Sequence, residues 1–388
     1  MEFRFSPDED LLRWAVRDFA ERAVGPKDPD ALRRSFRPLV KTMGSLGYLG
    51  LGVPEEYGGN PGNRAGLGVV VEEVARTDLA LAHFVATTYE VTLAVARYGS
   101  GAAKEAWLPR LAGGEALGCV AVTEPGAGVD FGALASTAER EGGSCRVDGE
   151  KAPVSFGLEA DVALTLATAG GAAAGLLVPL DLPGVERRPW HGTGLALAAP
   201  ASLRFREVRV PAGNLLEEGG GGLALDREVG VGGTIRKALC ALATLGAAQT
   251  ALKHAVRYGR ERHAFGRAIG KFEGVSEKIA EDATLVEAAR WLCYRALFLL
   301  DEGKPAEREA AMCGWWGPKV AYRTLQDALL VHGHAGFCDD HPFQQMWRDV
   351  VAFELLAGPA QLQRLAISRD LSGAAGVPDE LAGALPYL

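Results

Sequence analysis

The 388-residue chain has no run of about 18 or more uninterrupted apolar residues, so a membrane-spanning helix is not expected. Its opening residues, Met1-Glu2-Phe3-Arg4-Phe5, lack a basic stretch followed by an apolar one, and no secretory signal is expected. Cysteine is sparse. Cys119, Cys145, Cys240, Cys293, Cys313 and Cys338 show neither zinc-type pairing nor a disulfide framework, which points to reduced thiols in a cytoplasmic protein. Basic excess is also missing: a net charge of -8 and a pI near 5.5 argue against nucleic acid as the main partner. An anionic ligand held by a few local arginines remains compatible with that balance. What the chain does have is 48% hydrophobic and 23% charged residues, with length enough for a sizeable core in two or three layers. No internal repeat is evident.

Three textures follow one another along the chain. Up to about residue 115 the pattern is helical. Ser6 or Asp8 can cap a helix through Leu11, Leu12, Trp14, Ala15 and Phe19, and further helices are expected over 38–46, 67–77 and 79–98. From about 116 to 215 the pattern turns to strands. Leu164 to Ala167 and Leu176 to Val178 read as fully buried strands separated by an Ala169-Gly170-Gly171 turn. Leu203, Phe205, Val208 and Val210 alternate with arginines, with a bulge expected near Arg206-Glu207. After a Gly219–Gly222 hinge, helices are expected over 234–262, 273–302 and 307–331. The division expected is an N-terminal α-helical domain (1–115), a middle β domain (116–225) and a C-terminal helical bundle domain (226–388).

Chemistry-bearing motifs sit at the seams between these blocks. Thr123-Glu124-Pro125-Gly126-Ala127-Gly128 follows an apolar strand-like run. Its glycines permit positive φ, and its small residues leave bare N–H groups suited to a flat polar heterocycle or a pyrophosphate. Next come Gly149-x-Lys151 with Ser155, Arg262-x-x-Phe265-Gly266, Arg348-Asp349, and Gln361-x-Gln363-Arg364. In this order and spacing the motifs resemble the acyl-CoA dehydrogenase flavoprotein family, over nearly the whole chain. The resemblance implies an α+β fold: an N-terminal helical domain, a central β-barrel or sandwich domain, and a C-terminal four-helix bundle. It also implies FAD in the crevice between the β domain and the C-terminal helices.

The resemblance carries roles onto individual residues. Thr123 matches the residue that bonds the flavin's pyrimidine edge and Ser155 the hydroxyl near N5. Val122 and Gly128 lie where backbone approaches the cofactor. Arg262 and Phe265 match residues that reach the pyrophosphate and adenine half across a subunit boundary, with Gly333, His334 and Gln361 as further contacts. Several positions depart from the family pattern: Pro153 replaces the aromatic covering the flavin, while Val129, Leu330 and Pro359 replace polar residues. His332, His334, Asp339, Asp340 and His341 cluster without standard zinc spacing, so no metal is expected.

The proton acceptor is the largest departure. The family's usual base position is Ala357 here, and the alternative position, on an earlier helix, is Arg236; neither takes a proton near neutral pH. Glu90, in an otherwise weakly polar helix, is the leading substitute, with pairing to Arg97 as its non-catalytic reading. Glu354 is the second candidate. The implied activity is FAD-dependent oxidation of an acyl thioester, on coenzyme A or a carrier protein, at a CH–CH bond with a relocated base. Electrons would pass to an acceptor flavoprotein or O₂, and a homodimer or homotetramer is implied. An oxidase or monooxygenase of specialised metabolism on the same fold is one alternative. The other is a non-catalytic partner subunit of a hetero-oligomer.

Overall fold

The computed structural model describes residues 4–25, 29–60, 62–216, 233–338 and 340–372. The N-terminal helices are α1 (Pro7–Ala23), α2 (Pro29–Arg34), α3 (Phe36–Ser45), α4 (Arg64–Ala75), α5 (Leu79–Tyr98) and α6 (Gly101–Ala112). Ser6, not Asp8, caps α1, in a capping box with Glu9 that satisfies donors on both sides of the helix start. The buried face of α1 is Glu9, Val16 and Ala20, with Leu12 and Phe19 packed beside it. Leu11 and Trp14 are 64% and 65% exposed, because their positions rotate away from the core stripe. In α5 almost every residue is buried. It is long and apolar enough by composition to cross a membrane, but 89% of its apolar window lies inside the protein, as in a core helix.

The middle of the chain forms an eight-stranded sheet. Its strands are β1 (Gly118–Ala121), β2 (Thr137–Glu141), β3 (Ser144–Val154), β4 (Val162–Ala169), β5 (Ala172–Pro179), β6 (Val185–Pro189), β7 (Ala201–Pro211) and β8 (Leu215–Leu216). The order is β6-β7-β3-β2-β4-β5-β8, with β1 parallel to β4. The expected turn between buried strands is a tight hairpin: Ala169 pairs with Ala172, and Gly170 and Gly171 both take positive φ. The expected bulge is also present. Arg206 and Glu207 together face Asp148, whose carboxylate accepts the Glu207 N–H at 2.8 Å.

The C-terminal helices are α7 (Thr234–Glu261), α8 (Glu273–Asp301), α9 (Glu307–His332), α10 (Phe343–Leu356) and α11 (Ala360–Ser372); the short strands β9 (His263–Ala264) and β10 (Arg267–Ala268) form a hairpin between α7 and α8. The expected hinge at 219–222 and the expected boundary at 225 lie outside the described residues.

Two buried carboxylates tie the helical layers together. Glu73 accepts from Arg13 at 2.9 Å and from Arg17 at 2.8 Å, and pairs with Arg76 at 3.1 Å. Glu72 accepts from Arg290, Gln249 and the Tyr294 hydroxyl, the last at 2.7 Å. Burial works to raise Glu72, but Arg290 and the hydrogen bonds prevail and hold it below the ordinary carboxylate range. Its contribution to stability is therefore present above the unfolded-state pKa and is lost as pH falls. Replacing Tyr294 by Phe removes one donor to this charge. Denaturant unfolding is expected to show a loss of about 1.5–3 kcal/mol; an unchanged midpoint would mean the network does not bear on stability.

Candidate active site

The loop at 122–130, expected from the resemblance to meet the cofactor, is held by a buried ion pair. Lys151, on β3, is fully buried and donates through Nζ to Glu124 at 2.7 Å and to the Val122 carbonyl at 3.4 Å. The other faces of the Glu124 carboxylate accept the N–H groups of Ala135 at 2.7 Å and Ser136 at 3.0 Å. The Thr123 carbonyl accepts the Ala152 N–H at 3.0 Å. These bonds bring Thr123 beside the end of β3, three residues before Ser155. Both hydroxyls are half-buried, and neither has a hydrogen-bond partner among the described residues.

The glycines of the same loop leave an open face. A Cβ on Gly126 or Gly128 would meet nothing within 4 Å, and Gly128 has φ +58°. The bare N–H groups expected here are in part taken up, because Ala127 and Gly128 donate to the Glu124 carbonyl at 3.3 and 2.9 Å and Asp130 to the Ala127 carbonyl at 2.9 Å as the loop turns back on itself; the two free hydroxyls and the unobstructed approach suit the edge of a flavin. Val122 is buried beneath them, its carbonyl taken up by Lys151.

The remaining expected cofactor residues stand apart from this loop. Arg262 caps α7 and is exposed; Phe265, in the turn of the β9–β10 hairpin with φ +51°, is 97% exposed. Gly333, His334 and Gln361 are exposed as well. No hydrogen bond joins any of them to Thr123 or Ser155 among the described residues. The histidine cluster is organised by ring packing. His332 is buried, stacks on Tyr258 at 4.3 Å, lies 4.6 Å from Phe343 and 5.0 Å from His341, and its Nδ1 is 2.7 Å from the Ala328 carbonyl oxygen.

Arg236 and Ala357, the two positions that the resemblance assigned to a base, are brought together. Arg236, in the first turn of α7, donates through Nε to the Leu356 carbonyl at 2.9 Å, immediately before the buried Ala357 at the end of α10. Its Nη1 donates to Glu90 on α5 at 2.5 Å. Glu90 is thus arginine-paired, as its non-catalytic reading had it, but with Arg236 and not Arg97, because it points inward toward α7. Glu90 is 1% exposed, and its second oxygen, Oε1, has no partner. Burial outweighs Arg236 and pushes this carboxyl up to about 7. Glu354 is half-buried on α10 and forms no ion pair among the described residues, so the geometry separates the two candidates. Gln363 closes the corner by donating to the Ala357 carbonyl at 2.7 Å.

Asp349 and Lys151 are positioning residues in the expected motifs. Asp349 accepts the Leu195 N–H at 2.5 Å and Gln345 at 2.7 Å, fastening α10 to the loop before β7. Their spacing was visible in the sequence; their partners, Leu195 and Glu124, were not, because sequence separation hides a tertiary contact.

Comparison with known proteins matches the three parts of the chain to one family. The acyl-CoA dehydrogenase N-terminal domain matches residues 6–115, the middle domain 119–208 and the C-terminal domain 234–372. The chain is 31% identical over 382 residues to the probable acyl-CoA dehydrogenase YngJ of Bacillus subtilis (strain 168), covering 96% of this chain and 100% of that protein. It is 32% identical over 370 residues to the mitochondrial short-chain specific acyl-CoA dehydrogenase of Homo sapiens, covering 93% and 89%. The butyryl-CoA dehydrogenase structure from Megasphaera elsdenii superposes with a TM-score of 0.89 at 26% identity, covering 96% and 100%. The chain belongs to the acyl-CoA dehydrogenase family.

Removing the Lys151 ammonium would strand Glu124 without its cation. Lys151→Ala is expected to cost about 3–5 kcal/mol of unfolding free energy, since breaking a buried pair leaves an uncompensated charge. Stability within about 1 kcal/mol of the parent in urea unfolding would show that the pair does not support the loop.

Proposed function

We propose that the protein is an FAD-dependent oxidoreductase that removes two hydrogens across a CH–CH bond of an acyl thioester, with Glu90 as the proton acceptor. The observation that carries this reading is the free, buried Oε1 of Glu90 beside both vacated base positions. A general base works best with a pKa near the working pH, and burial places Glu90 there. Arg236 holds the other oxygen, so the carboxylate keeps one orientation without losing its proton-accepting atom. Loss of the α-proton to Oε1 turns Glu90 from anion to neutral acid, which relieves the desolvation that its charge suffers.

Thr123, Ser155 and the backbone of the Gly126–Gly128 loop would hold the flavin, which supplies hydride acceptance when bound. Arg262 and Phe265, exposed in a single copy, would reach the cofactor of a second copy, which accounts for a fully exposed aromatic ring on a hairpin tip. A homo-oligomer is part of this proposal, with an electron-transferring flavoprotein as the acceptor. The thioester is carried on coenzyme A or on a carrier protein; the buried end of the site is the same for both.

Three outcomes are expected. Purified protein carries flavin near one per chain by absorbance. Glu90→Gln lowers kcat with an acyl thioester and an electron-accepting dye by about 10²–10⁴-fold while flavin content is unchanged. Because Oε1 must be deprotonated to act, kcat/KM rises with pH through about 7 and then levels. A fully active Glu90→Gln enzyme would remove Glu90 from the reaction.

A further inference from the structure

Three histidines meet where the end of α7, the end of α9 and the start of α10 come together. His254 is on α7, His332 is the last residue of α9, and His341 lies two residues before α10. Their rings surround the buried ring of Phe343 at 5.8, 4.6 and 5.6 Å, and His332 lies 5.0 Å from His341. His332 and His341 flank the Gly333–Phe337 turn, so their ring contact staples its base. Gly333 takes φ +61°, and the turn folds back so closely that a Cβ on Gly336 would lie 2.5 Å from the Leu329 carbonyl oxygen. Phe337 is 72% exposed and does not anchor it.

The hydrogen bonds show where an added proton would go. His332 Nδ1 is 2.7 Å from the Ala328 carbonyl oxygen, which can only accept, so Nδ1 carries its hydrogen and Nε2 is left to titrate. His254 Nδ1 is 3.5 Å from Arg257 Nη2, which can only donate, so a proton on that nitrogen would break the contact. Cations and no anions back the cluster. Arg257 and Lys253 flank His254 on α7, and the Tyr258 ring stacks on His332 at 4.3 Å. On α10, Arg348 and Asp349 are engaged with Gln344, Gln345 and Leu195. Asp340, beside His341, is exposed, and no carboxylate among the described residues forms an ion pair with the three rings, Arg257 or Lys253. Burial first, then the neighbouring positive groups, holds His254 and His332 below the ordinary histidine range; the Ala328 bond to His332 offsets only part.

We propose that His332 and His341, backed by His254, form an acid-sensitive latch that closes the Gly333–Phe337 turn while the rings are neutral and opens it when they take up protons. That turn carries Gly333 and His334, for which the resemblance implies cofactor contact. The latch does not rest on the acyl thioester reading and stands or falls apart from it. Because the closed turn holds its histidines low, their stabilisation is fully present above the ordinary value of 6.5 and is lost as pH falls through the lowered values.

The test is hydrogen exchange of the full chain, read by mass spectrometry as protection factors at about pH 7.5 and about pH 5.5. A histidine that stays neutral in the closed turn and titrates freely in the open one shifts the closed-to-open ratio by up to about 10-fold at the lower pH. Protection across residues 328–338 is therefore expected to fall about 10-fold on acidification, while the paired strands β4 and β5 keep theirs. His332→Asn keeps a donor for the Ala328 carbonyl but takes up no proton, and its fall is expected to be at least about threefold smaller. Arg257→Gln, at an exposed position on α7, removes a cation from beside His254 and is also expected to show a smaller fall than the parent. It decides the matter if His332→Asn loosens the turn at both pH values. Protection in the parent that is the same at both pH values overturns the proposal, as does a fall of the parent's size in both variants.

Discussion

The ion pair between Glu90 and Arg236 is the constraint on which the site depends. It spans α5 and α7, and through the Leu356 carbonyl it reaches the end of α10. One guanidinium thus fixes three elements around the place where the substrate's reacting carbons would lie. In an interior where an unpaired charge is strongly disfavoured, neither partner changes without the other. The arginine at one of the two positions that the resemblance assigned to a base thus bonds both the carboxylate on α5 and the carbonyl that precedes the alanine at the other.

A second buried pair does comparable work on the cofactor side. Lys151 and Glu124 lie on separate segments that meet only in the folded sheet, and their bonds set the path of the chain through Thr123. The loop glycines keep the outer face open, while the pair keeps the inner face rigid. A rigid loop with free hydroxyls beside it is what a flat, polar cofactor needs, because its partners are already aimed before it arrives. The two buried pairs share one logic: each cation bonds a carboxylate and a backbone carbonyl, and so fastens one segment to another.

Much of this was legible in the sequence. The long C-terminal helices are set by apolar spacing of three to four residues, and their ends fell within a residue of expectation. The Gly170-Gly171 turn and the Arg206-Glu207 bulge were readable because each rests on local backbone chemistry. Failures came where tertiary context decides. Leu11 and Trp14 satisfy a helical period yet face outward, since the core stripe of α1 runs through Val16 and Ala20. Glu90 was identifiable as an acidic residue in an apolar helix, but Arg236, its partner 146 residues away, was not.

The account stands or falls on whether a thioester delivers electrons to a flavin held here. The direct measurement is anaerobic titration of the flavin-loaded protein with a panel of acyl-CoA compounds, following the oxidised flavin band near its visible maximum. Bleaching of that band by at least one thioester in the parent, and its slow or absent bleaching in Glu90→Gln, is the result predicted. Fully occupied flavin that stays oxidised with every thioester would contradict it.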